Sequence, residues 1–121
     1  MQPRQRPVVL LDRDNEARTL AADTLTAAGY HVLEAASADD VLSMFESWSE
    51  IGVLVTDQDV PGCFDGLGLA NFVGSRWPRT PIILTSYLPG PNSSGARFLQ
   101  KPFPPAALTQ VVAACFRKIS H

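Results

Sequence analysis

The chain has 121 residues, enough for one domain that buries its own core without disulfide staples. Its net charge of −2 argues against nucleic acid as a partner, because phosphate backbones recruit a basic excess, and Arg4 and Arg6 are too few to form a patch. No apolar run approaches the roughly 18–20 residues that span a bilayer, so a cytoplasmic protein with no membrane partner is expected. Met1 to Pro7 reads as a short disordered arm, lacking the apolar stretch of a signal peptide. Cys63 and Cys115 are far apart and have no histidine at ligand spacing, which excludes a zinc site and a disulfide framework.

From Val8 onward, short apolar runs alternate with amphipathic stretches, the pattern of an α/β domain with a parallel sheet. Val8 to Leu11 is apolar throughout, as suits a strand covered on both faces. A helix is predicted from Asn15 to Ala28, with Ala17, Leu20, Ala21, Leu25 and Ala28 at helical spacing and Gly29 as its stop. His31 to Ala35 is a weaker second strand. Ser37, with Asp40 three residues on, opens a helix to about Trp48. Val53 to Thr56 is the third strand. A loop containing Pro61, Gly62 and Gly66 leads to a helix carrying Leu67, Leu69, Ala70 and Val73, which must end before Pro78. Pro81 to Thr85 is the fourth strand and Phe98-Leu99 belongs to a short fifth.

Pro104 and Pro105 suit the first turn of a last helix, whose buried face is Leu108, Val111, Val112 and Cys115. Between the last two strands, Tyr87 to Gly95 is loop chemistry, with Pro89, Gly90, Pro91 and Asn92. The fourth helix is therefore expected to be short or missing. The domain is expected over residues 8–118, with 119–121 as a tail. Trp48 and Trp77 read as packing residues at helix ends, and His31 and His121 as exposed.

In parallel α/β sheets, chemistry sits at the carboxyl ends of the strands. Here those ends carry Asp12 and Asp14, then Asp57 and Asp59, then Thr85 and Ser86, then Lys101 before Pro102. Carboxylates that converge repel one another, at about 4 kcal/mol for charges 4 Å apart in an effective dielectric of 20. A hard cation such as Mg²⁺ relieves that repulsion. A lysine and a hydroxyl opposite the acids could bind phosphoryl oxygens. Such a set suits phosphoryl transfer to a carboxylate. Ser86 has no triad partners, which leaves hydrolase chemistry unsupported.

The order Asp12, Asp57, Thr85, Lys101-Pro102 resembles the receiver domains of bacterial two-component response regulators, over about Val8 to Phe116. The words Thr56-Asp57-Gln58-Asp59-Val60-Pro61-Gly62, Asp65-Gly66 and Gly95 to Phe103 look like that family's phosphoacceptor loop, following helix and fifth-strand signature. The resemblance implies a flavodoxin-like (βα)5 fold, three layers α/β/α, with parallel strand order 2-1-3-4-5. It implies that Asp57 is phosphorylated by a histidine kinase or phosphotransfer protein. Mg²⁺ would be held by Asp12, Asp57 and the main-chain carbonyl of Asp59, and Thr85 and Lys101 would bind the phosphoryl group. Thr85 and Phe98 would switch on activation, although Phe98 suits a core position equally well.

Output would be by contact with a further protein, from a monomer or weak homodimer. The domain would not be an enzyme beyond Mg²⁺-assisted gain and loss of its own phosphoryl group. The absence of a glycine-rich phosphate loop argues against a flavodoxin-like enzyme or nucleotide-binding protein.

The sequence departs from the family after the first strand, where two adjacent acids are usual and Asp12-Arg13 stands here. An arginine cannot ligate Mg²⁺. Its guanidinium could point to solvent, leaving a weak metal site, or lie across the acids and oppose metal binding. Asp14 could substitute in part, but reads better as a solvated first-turn acid. Asp12 is expected to cap the first helix as well as serve the metal. The alternative reading is a pseudo-receiver, an interaction module that is never phosphorylated.

Overall fold

In a computed structural model, which describes residues 6–58, 66–87 and 96–119, five parallel strands form one sheet in the order β2-β1-β3-β4-β5. The strands are β1 (Val8–Leu11), β2 (Val32–Ala35), β3 (Val53–Asp57), β4 (Ile82–Ser86) and β5 (Arg97–Gln100). The helices are α1 (Asn15–Ala27), α2 (Ala38–Ser47), α3 (Gly66–Arg76) and α4 (Pro105–Ile119). The expected short or missing helix between β4 and β5 falls at residues 88–95, outside the described residues. So do the loop at 59–65, with Asp59 and Cys63, most of the N-terminal arm at 1–5, and His121. Arg6 and Pro7, at the end of that arm, are tied down. Arg6 pairs with Glu50 at 2.6 Å, and the Pro7 carbonyl accepts the Gly52 N–H at 2.8 Å.

Alternation along the buried strands builds a core on each face of the sheet. Val9, Leu11, Leu54 and Leu84 point toward Val41 and Phe45 of α2 and Leu69 and Val73 of α3. Val8, Leu10, Val55 and Ile83 point the other way, against Leu25 of α1 and Leu108, Val112 and Cys115 of α4. The apolar runs are continuous because both faces are covered.

Local chemistry sets the helix ends. Gly29 takes φ +99 just beyond α1, a conformation that residues with a Cβ rarely adopt. Ser37 caps α2 by accepting the Asp40 N–H at 3.2 Å, while Asp40 accepts the Ala36 N–H at 3.1 Å. Pro105 opens α4, where an amide N–H would have no helical partner.

One expectation is corrected at the start of α1. Asp12 does not cap the helix. Asp14 does, accepting from Glu16 N–H at 3.0 Å and Ala17 N–H at 3.5 Å. Asp12 lies one step too early. Its Oδ1 accepts the Asp14 N–H at 2.9 Å, a turn bond that fixes the approach to the helix.

Candidate functional site

The connections after β1 and β3 leave toward opposite edges of the sheet, to β2 and to β4, and this opens a crevice between them at the carboxyl ends of the strands. Register brings the site residues to that crevice. Leu11 of β1 pairs with Thr56 of β3, so Asp12 and Asp57 are the next residues of adjacent strands. Asp57 pairs with Thr85 of β4, and the Gln58 N–H donates to the Thr85 carbonyl at 2.8 Å. Ser86 pairs with Gln100 of β5, and the Lys101 N–H donates to the Ser86 carbonyl at 2.7 Å. Asp12, Asp57, Thr85 and Lys101 thus share one mouth.

Three of these polar side chains belong to residues otherwise typical of a core: Asp12 is 7% exposed, Asp57 8% and Thr85 3%. The Lys101 ammonium donates to Asp12 Oδ2 at 3.0 Å and lies 3.6 Å from Asp57 Oδ2. Burial opposes the lysine charge. The Asp12 hydrogen bond, with the negative charges of Asp12 and Asp57, outweighs that burial and holds the Lys101 pKa above its ordinary value. Two carboxylates against one ammonium leave these three side chains with one net negative charge.

Arg13 takes the first of its two expected courses. It is exposed and forms no ion pair among the described residues, so it does not lie across the acids. Asp14 is exposed and occupied as a helix cap. Phe98 is half-buried, pairs in register with Leu84 and packs on the α2–α3 side of the core.

Two contributors had no strong sequence signal. Arg18, on α1, donates from Nη1 to the Asp12 carbonyl at 2.7 Å, and from its other nitrogens to Asn15 and Glu34. It braces the turn that carries Asp12. The Tyr87 ring centre lies 5.4 Å from Lys101 Nζ, a cation–π distance, just beyond β4.

The donor set can be tested against the metal expected here. Among the described residues no group of three or more His, Cys, Asp or Glu side chains could hold an ion. Asp12 and Asp57 nevertheless supply hard carboxylate oxygens, two carboxylates beside the single Lys101 ammonium. Mg²⁺ commonly uses one or two carboxylates and completes its shell with water and phosphoryl oxygens. The residues present fit a hydrated ion of that kind.

Solved structures of the same architecture are receiver domains. The signal receiver domain of an HD domain-containing protein from Pseudomonas fluorescens Pf-5 aligns with a TM-score of 0.86 at 21% identity, over 96% of this chain and 98% of that one. A CheY-like response regulator receiver domain protein from Methanospirillum hungatei JF-1 aligns with a TM-score of 0.85 at 20% identity, over 95% and 96%. One from Clostridium thermocellum gives 0.82 at 19%, over 94% and 96%. No protein-family model matches the chain, and no curated protein does. At such identities the likeness is one of fold: the chain folds as a response-regulator receiver domain. No helix among the described residues is long and apolar enough to cross a membrane.

Proposed function

We propose that this domain accepts a phosphoryl group on Asp57 from a histidine kinase or phosphotransfer protein and passes the signal on by protein contact. The observation that carries the reading is the Lys101 ammonium bridging Asp12 and Asp57 at the mouth of the crevice, 3.0 and 3.6 Å from their oxygens. Such a bridge sets an ammonium beside the Asp57 carboxylate, and that carboxylate is the nucleophile the transfer needs.

An Asp57 oxygen attacks phosphorus, the P–N bond to the donor imidazole breaks, and the imidazole leaves with the electron pair and takes up a proton. Lys101 turns from the carboxylates toward a phosphoryl oxygen, and the Thr85 hydroxyl donates to another. Mg²⁺, held by Asp12, Asp57 and the main-chain carbonyl of Asp59, would neutralise charge on the transferred group when bound. Thr85 and Phe98 would carry the change outward by biasing a two-state equilibrium, toward an output protein that recognises the shifted surface. Any catalysis is limited to the domain's own gain and loss of phosphate.

The pseudo-receiver reading has one observation in its favour: Arg13 stands in place of an acid, and the described mouth holds only two carboxylates. Intact-mass analysis after incubation with Mg²⁺ and phosphoramidate separates the two. A gain of one phosphoryl mass, absent from Asp57→Asn, is expected. No gain at any Mg²⁺ concentration, with a phosphorylated phosphotransfer protein equally inert as donor, would leave the pseudo-receiver.

A further inference from the structure

At the opposite end of the sheet, where β1, β3 and β4 begin, lies a second cavity of about 600 Å³. Ligand sites usually span about 300–1,000 Å³. Its walls combine indole rings with guanidinium groups. Trp48, after α2, is 39% exposed and has an edge-on ring contact with His31, so much of its indole surface is open. Trp77, after α3, is held in place by Phe45, with ring centres 4.9 Å apart.

The cationic side is unbalanced. Arg6, Arg76 and Arg79 line the cavity, and Glu50 pairs with Arg6 at 2.6 Å. Arg76 lies over the Trp77 ring at 5.2 Å and has no carboxylate partner among the described residues, and neither has Arg79. Two exposed guanidiniums with no carboxylate partner among the described residues thus stand beside two indoles. Ser49 and Thr80 add hydroxyls to the same wall.

The geometry points to a binding site for a nucleoside phosphate at this pole. The base would stack on indole, the sugar would meet the hydroxyls, and the phosphate would be held by Arg76 and Arg79. Guanidinium forks suit phosphate oxygens, and arginine side chains can do this without a glycine-rich loop. The site lies at the far end of the strands from Asp57 and does not depend on its phosphorylation.

The chain's two tryptophans both line this cavity, so intrinsic fluorescence reports on it directly. The full chain is titrated with ADP and GDP, and separately with adenosine and inorganic pyrophosphate, exciting at the red edge of indole absorption. One of the nucleotides is expected to quench saturably in the micromolar range. The base and charge fragments alone should bind at least about tenfold more weakly, since each lacks half of the contacts. The double variant Arg76→Gln, Arg79→Gln should lose at least about tenfold in nucleotide affinity while its circular dichroism and the urea midpoint stay unchanged. Absence of saturable quenching by either nucleotide overturns the assignment. So does pyrophosphate binding as tightly as the nucleotides, or a double variant that folds and binds like the native chain.

Discussion

Replacing Lys101 by methionine keeps the length of the side chain and removes the charge that joins Asp12 to Asp57. With an effective dielectric of 20, the contacts at 3.0 and 3.6 Å are worth about 5.5 and about 4.6 kcal/mol before desolvation. Burying the ammonium costs several kcal/mol against this, and breaking a buried pair usually destabilises by about 3–5 kcal/mol because charge is left uncompensated. The carboxylates stand at the mouth and can recover some water, so a net loss of about 2–4 kcal/mol is expected. For a urea dependence of about 2 kcal/mol per molar, the unfolding midpoint should fall by about 1–2 M at pH 7, measured with a chelator present. The pH dependence gives a second check. Because the folded pKa of Lys101 is raised, its contribution is complete below the unfolded value and is lost as pH rises through the folded one. The native chain and the variant should therefore begin to converge in stability only above about pH 10.5, the ordinary lysine value, and meet as pH passes the raised folded value. A midpoint shift equivalent to less than about 0.5 kcal/mol at pH 7 would refute the reasoning, as surface substitutions do no more.

Asp14→Ala should lower stability by about 1 kcal/mol through loss of the α1 cap, read by urea unfolding, yet leave phosphoryl uptake at Asp57 intact. Arg13→Asp restores an acid beside Asp12 and removes an exposed cation, so Mg²⁺ affinity measured by calorimetry should rise at least about tenfold, or about 1.4 kcal/mol. An unchanged affinity would show that position 13 does not face the ion. Gly52→Ala would place a Cβ 2.7 Å from Cε1 of Phe116 and 3.1 Å from the Arg6 carbonyl, so a loss of about 1–3 kcal/mol by urea unfolding is expected, relieved in part by Phe116→Leu.

Most of the scaffold was legible because its signals are local. Val8 to Leu11 and Val53 to Thr56 are unbroken apolar runs, and Ser37 with Asp40 marks the start of α2 within four residues. Strand limits shifted where backbone bonds decide them. β4 runs from Ile82 to Ser86, because the Ser86 carbonyl accepts from Lys101 and extends the ladder past Thr85. Asp12 and Asp14 both favour the cap of α1 by residue type, and only the geometry of the turn selects Asp14. The Lys101–Asp12 bond joins residues 89 apart, so no local pattern announces it; strand order and register bring the pair together. Nothing in the sequence around Arg18 records that it reaches the Asp12 carbonyl. Trp48 was expected to pack, but 39% of it is exposed, because the wall it belongs to forms only when the segments before β1, β3 and β4 meet.

The central claim is that Asp57, and no other side chain, carries the phosphoryl group. The most direct measurement is to treat the protein with Mg²⁺ and phosphoramidate, reduce at once with borohydride, digest, and sequence the peptides by mass spectrometry. An aspartyl phosphate is reduced to homoserine, so homoserine at position 57 is the predicted result. Homoserine at another aspartate, or aspartate at every position under conditions that label a known receiver domain, would contradict the claim.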